Sequence, residues 1–175
     1  MKNNPHGIGI IDHFSLPCKD PELSQTFYET IFSAHVFTDA NGPHVFGAGP
    51  EDRKLGRSIH IFMEMDNGQR FELLGHELNG KPPEGTHHAF KVGPNDLPAV
   101  RRHLEAHGVP YWGPGTHRGT DAVSIYFHDP DGNVLEFVCW GGYPDLAAVP
   151  LSQHMEKPNW DYVWDPVARR AHAPT

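Results

Sequence analysis

The sequence predicts an α+β fold built from two copies of one strand–helix–hairpin unit. Three observations predict it. An apolar strand, a capped helix, extended pieces and a closing hairpin follow one another twice along the chain. The copies agree in detail at both ends, each opening on a histidine and closing on a glutamate. The length of 175 residues suits a single domain with a core that needs no disulfides.

The first unit spans about residues 8–80. Ile8-Gly-Ile-Ile-Asp-His13-Phe14-Ser-Leu16 is an apolar run that reads as a buried strand. Asp20-Pro21 starts a helix, with Asp as N-cap and Pro in the first turn. Leu23, Phe27 and Ile31 recur every four residues and mark its buried stripe. Short extended pieces follow around His35–Thr38 and Pro43–Phe46. Ile59–Met65 is the next strand, Asp66-Asn67-Gly68 a hairpin turn, and Gln69–Leu74 the return strand.

The second unit, about 84–141, repeats this order. Thr86–Val92 reads as its first strand. Asn95 or Asp96 caps a helix carrying Leu97, Val100 and Leu104, and Gly108 ends it. Val109–Trp112 is extended, and Val123–Phe127 pairs with Val134–Trp140 across Asp129-Pro-Asp-Gly132. His13-Phe-Ser-Leu aligns with His87-His-Ala-Phe, and Gly68-Gln-Arg-Phe-Glu72 with Gly132-Asn-Val-Leu-Glu136. A charged glutamate inside an apolar run, twice at the same offset, needs a partner to be tolerated there. Residues 142–175 lack periodicity; Trp160, Tyr162 and Trp164 suggest packing on the domain or on a second subunit, with Ala168–Thr175 frayed.

Composition narrows the function. The net charge of −8, with no Lys/Arg cluster, argues against a nucleic-acid partner. No run approaches a membrane span, and the first six residues have no apolar h-region. The two cysteines, Cys18 and Cys139, read as buried free thiols, which suits a reducing cytoplasm. The 14 histidines are dispersed, so only position can single out functional ones.

The repeated unit resembles the vicinal oxygen chelate superfamily over roughly residues 8–141, a group that includes glyoxalase I, fosfomycin-resistance proteins, bleomycin-binding proteins and type I extradiol dioxygenases. The resemblance implies two βαβββ modules in a single domain, forming a curved, half-open barrel around a metal. Gly115-x-His117, then Ile125-Tyr126-x-x-Asp129-Pro130-x-Gly132-x-x-x-Glu136, is similar to the signature of single-domain extradiol ring-cleavage enzymes. That likeness makes His13, His87 and Glu136 the expected metal ligands. Two imidazoles and one carboxylate on one face suit non-haem Fe(II), with Ni(II), Zn(II) and Mn(II) as alternatives. His88 points away from His87 along a strand and is expected in the core. His117 and Tyr126 are the expected proton donors, and Phe14, Trp112 and Phe127 candidates to flank a ring.

One position departs from the ring-cleavage pattern. Where those enzymes carry a second catalytic histidine, this chain has Glu72. Glu72 is expected to act as the base, with His76 as a substitute under a shifted register, or to be a fourth metal ligand as in glyoxalase I. The expected activity is O₂-dependent cleavage of a catechol, L-DOPA-like catechols being one candidate class, by a homodimer. The alternative is a glyoxalase-like or fosfomycin-resistance-like metal-dependent isomerase, lyase or transferase; a metal-free drug-binding protein of the bleomycin-resistance type is the third reading.

Overall fold

The computed structural model describes residues 11–75 and 85–175. The first strand, β1 (Ser15–Cys18), leads into helix α1 (Pro21–Phe32). Four two-residue strands follow: β2 (His35–Val36), β3 (Thr38–Asp39), β4 (Gly42–Pro43) and β5 (Val45–Phe46). A short helix α2 (Pro50–Lys54), which the sequence did not announce, precedes the hairpin β6 (His60–Glu64) and β7 (Arg70–Gly75). The second unit contains β8 (His88–Lys91), α3 (Leu97–Ala106), β9 (Tyr111–Thr116), β10 (Ala122–His128) and β11 (Val134–Trp140). The chain ends in a small hairpin, β12 (Val163–Asp165) and β13 (Arg170–His172).

The repeat seen in the sequence is a repeat of topology. β1 lies parallel beside β7, and β8 parallel beside β11, so each unit's first strand pairs with its last. One sheet runs β1-β7-β6-β2, with β5 also on β6; the other runs β8-β11-β10-β9. The architecture is mixed α+β with βαβββ-like sheets that, among the described residues, do not close into a barrel.

Local chemistry explains the boundaries. The Asp20 side chain accepts from the Glu22 and Leu23 amides, as its cap position requires. At α3 the expected cap is only positional: Asp96 has helical dihedrals and its side chain makes no cap bond. Gly108 turns left-handed just past α3, and a Cβ there would lie 2.6 Å from the Ala171 carbonyl oxygen. The two opening histidines fall just ahead of their strands rather than inside them, because ladder pairing begins at Ser15 and His88. The expected strand residues 8–10, and His76, lie outside the described residues.

The core is one apolar cluster joining both units. Phe27, Tyr28 and Ile31 of α1 bury against Ile61, Met63, Phe71 and Leu73. Phe32, at the end of α1, reaches the second unit and packs on Phe90 and Phe137. Polar bonds also cross between the units: Tyr28 donates to Asp129, Ser24 to Asp131, and Asn133 to the Pro17 carbonyl. Cys18 and Cys139 are buried free thiols. Among the described residues no helix is long and apolar enough to cross a membrane.

The chain end corrects an expectation. Residues 168–175 were expected to fray, yet β13 forms within them and its Ala171 amide donates to the His107 carbonyl. The cause is Trp164, buried edge-on against Phe27, with its indole N–H donating to Thr26. Burying a side chain of that size orders the hairpin that carries it.

Candidate active site

The β10–β11 hairpin sets Tyr126 directly opposite Glu136. Both carry their side chains on the same face of the sheet, because cross-strand partners share a face. β8 brings His87 to the same place. Its Nδ1 lies 2.8 Å from the Gly85 carbonyl oxygen and its Nε2 2.9 Å from Glu136 Oε2. Nδ1–H must donate to that carbonyl, which leaves Nε2 as the atom facing the carboxylate. The Glu136 carboxylate is buried. A buried carboxylate needs a cation, and two donors 2.9 Å apart are spaced to share one ion at ordinary bond lengths. The pair therefore fits a divalent metal.

Tyr126 stands at the edge of this pair. Burial raises its phenol to about 12, and the Glu136 carboxylate beside it adds to the shift. It stays a neutral O–H donor at any physiological pH. His117, on the turn after β9, places Nε2 3.1 Å from the Tyr126 hydroxyl. Trp112, opposite Tyr126 on β9, packs its ring 5.5 Å from the phenol. Its indole N–H is buried without a partner among the described residues.

The other expected residues gather on the first sheet. Glu72 is buried on β7, and both of its oxygens are taken: Ser15 Oγ donates to Oε2 at 2.5 Å, and His60 Nδ1 lies 2.6 Å from Oε1. Burial alone would raise its pKa, but those two bonds and the charge of His60 outweigh it and hold the group below the usual carboxylate range. His13 lies close enough for its charge to favour ionised Glu72, while its ring packs edge-on against Phe62 and bonds to Asp12. His60 also lines a cavity of about 600 Å³ with Phe46, Arg57 and Ser58.

The chain thus brings His87, Glu136, Tyr126 and His117 together, and sets His13 and Glu72 on the other sheet. Among the described residues no group of three or more His, Cys, Asp or Glu is arranged to hold an ion. His88 faces the core side, half-buried and stacked on Phe14, and burial lowers its pKa. Phe14 and Phe127 belong to that core side too, Phe127 stacking on Phe137, while Trp112 alone of the three expected aromatics touches Tyr126.

Sequence reasoning missed three residues here. His60 was read only as part of a strand. Ser152, whose hydroxyl is 3.2 Å from His117 Nδ1, and Lys157, whose ammonium lies 5.5 Å from the Trp112 ring centre, come from the aperiodic C-terminal extension. The signal for His60 existed: the hairpin turn fixes the register Phe62↔Glu72, which puts His60 diagonally beside Glu72.

The chain is 23% identical over 148 residues to the glutathione transferase FosA of Serratia marcescens, covering 85% of this chain and 89% of that protein. The fold is similar to that of the fosfomycin resistance protein FosX from Listeria monocytogenes, with a TM-score of 0.61 at 21% identity over 77% of this chain and 95% of that one. Another crystal of FosX, complexed with Mn(II) and a sulfate ion, gives 0.55 at 20% identity over 77% and 94%. A glyoxalase/dioxygenase from Nostoc punctiforme gives 0.56 at 24% identity over 79% and 95%. Neighbours at these identities share the fold. The family description that matches residues 10–137, most of the chain, is the one that settles kinship: this protein belongs to the glyoxalase/bleomycin resistance protein/dioxygenase superfamily.

Proposed function

We propose that the protein is a divalent-metal enzyme of the fosfomycin-resistance type, which opens an activated C–O bond in a small substrate held through neighbouring oxygens. The observation that carries this reading is the pairing of solvent-accessible His87 with the buried Glu136, with a neutral Tyr126 hydroxyl at its edge. Kinship with FosA along nearly the whole of both chains supports it. A bound divalent ion, Mn(II) by analogy with the FosX crystal, would polarise the oxygen to be displaced. Tyr126 is placed to hydrogen-bond that oxygen as it gains charge, and His117 stands next in line behind it.

The nucleophile, water or a thiol, needs a base. Glu72 is committed to two partners, so its proposed role changes from base to orienting group. It holds His60 Nδ1 and leaves Nε2 without a partner among the described residues, toward the adjoining cavity. His60 lies on the first sheet with Glu72, so it is proposed to reach this site from a second copy of the chain and there to take the proton from the nucleophile. The new bond forms to carbon, the C–O bond breaks, and the oxygen is protonated from the Tyr126 side.

His13 is proposed as the third ligand, supplied by a second copy of the chain, because among the described residues no third ligand joins His87 and Glu136. Mixing His13→Ala with Glu136→Ala protein is expected to restore about a quarter of wild-type activity, since about half of the dimers are mixed and each has one intact site of two. If all ligands came from one chain, the mixture would stay as inactive as its parts.

The reaction is tested by loading Mn(II), adding fosfomycin with water alone or with glutathione, and following the phosphonate by ³¹P NMR. A second reading, Fe(II)-dependent extradiol cleavage of a catechol, is favoured by one observation, the 3.1 Å contact of His117 with Tyr126. Silence toward the epoxide, with O₂ uptake and a new yellow absorbance on a catechol panel under Fe(II), would replace the first reading by the second.

A further inference from the structure

Residues beyond 137 lie outside the family match, yet they supply a partner of His117. The C-terminal segment is strapped to β9: the Thr116 amide donates to the Pro150 carbonyl at 2.9 Å, and Thr116 and Leu151 form a parallel bridge. A 3₁₀ turn at Ser152–His154 then presents the Ser152 hydroxyl to His117 Nδ1 at 3.2 Å. Gly115 makes the approach feasible, since a Cβ there would sit 3.1 Å from Ser152 Cα and Cβ and from the Met155 sulfur. The glycine of the Gly115-x-His117 motif is therefore a seat for the C-terminal segment.

We propose that Ser152 is a positioning residue that sets the tautomer of His117 and thereby aims the Tyr126 hydrogen at the substrate. This rests on the reading that Tyr126 is a donor in the reaction. A neutral imidazole has one N–H and one lone pair. Ser152 is buried, and His117 is its hydroxyl's one partner among the described residues. If the hydroxyl accepted from Nδ1, its own hydrogen would be buried without an acceptor, an arrangement that costs about 1–3 kcal/mol. The hydroxyl therefore donates to Nδ1, and the ring hydrogen sits on Nε2. From there it donates to the Tyr126 oxygen, and the phenol hydrogen is left to point away from His117. Glu136, directly opposite Tyr126 across the hairpin, interacts with that hydroxyl as well. The donors run in one direction: Ser152, His117, Tyr126, then Glu136 or a substrate oxygen.

The test is ¹⁵N NMR of the histidine side chains in the full-length protein without added metal, with His117 assigned through its loss in His117→Gln. The expected result is a single tautomer with hydrogen on Nε2. In Ser152→Ala the His117 signals should move toward a tautomer mixture, and Ser152→Thr should restore them. In whichever assay shows turnover, Ser152→Ala should lower kcat roughly ten-fold with KM and metal affinity unchanged. Hydrogen on Nδ1 in the wild type, or His117 signals unaffected by Ser152→Ala, overturns the proposal. The expected spectra with no turnover on either substrate class would leave the positioning of His117 standing and sink the functional reading alone.

Discussion

Replacing His87 with alanine is expected to weaken divalent-metal binding by at least about 100-fold, because removing a group that merely orients a ligand already costs 10–100-fold. The expectation follows from the geometry of the pair. The Gly85 carbonyl fixes one ring nitrogen at 2.8 Å, so the other is aimed before any ion arrives. Glu136 lies 2.9 Å away, so without His87 the ion would keep one of the two ligands that this pair supplies. His88→Ala is the control. Its ring stacks on Phe14 at 4.8 Å, on the core side, so its loss should change metal affinity by no more than a few-fold. Competition with a chromophoric chelator measures both. Equal affinities for the two variants would remove the His87–Glu136 pair from the metal's coordination.

Asp129→Asn is expected to lower stability by about 2–3 kcal/mol, read as a fall in the urea midpoint. Asp129 accepts four hydrogen bonds: the Asp131 and Asn133 amides on Oδ1, the Tyr28 hydroxyl and the Asn133 side-chain amide on Oδ2. An asparagine must set its NH₂ against two of these donors, in a site buried from solvent. The change also has a pH signature. Burial pushes the Asp129 carboxyl up to about 6, although the Asn133 and Tyr28 hydrogen bonds pull the other way. A folded-state value above the unfolded one means that the folded protein holds this proton more tightly. The stabilisation is complete below the ordinary carboxylate range and is lost as pH rises through about 6. The gap between wild type and Asp129→Asn should therefore be wider at pH 5 than at pH 7.5. A gap that is constant, or that widens at the higher pH, would contradict the assignment.

The two hairpins show why much of the site was legible. Once a turn is placed, register follows by counting, so Tyr126 opposite Glu136 could be read from Asp129-Pro-Asp-Gly132. The same counting shows why the reaction was not legible. The spacing from Tyr126 to Glu136 is a product of hairpin register, and any relative with this turn can show it. It marks the fold, so the spacing alone does not choose between ring cleavage and the chemistry of fosfomycin resistance proteins, to which the chain is also similar. Ser152 and Lys157 follow from no local period, since their segment is held by a bridge to Thr116, 35 residues before Leu151. His13 illustrates a different gap. The repeat singled it out correctly as the counterpart of His87, but sequence symmetry does not say whether equivalent positions meet within one chain.

The strap that seats Ser152 against Gly115 separates two properties that enzymes often keep entangled. The proposed ion-binding pair falls within the part of the chain that matches the superfamily, whereas Ser152, Met155 and Lys157 lie beyond it. Turnover can then be tuned by substitution in the appendage while metal binding at His87 and Glu136 stays untouched.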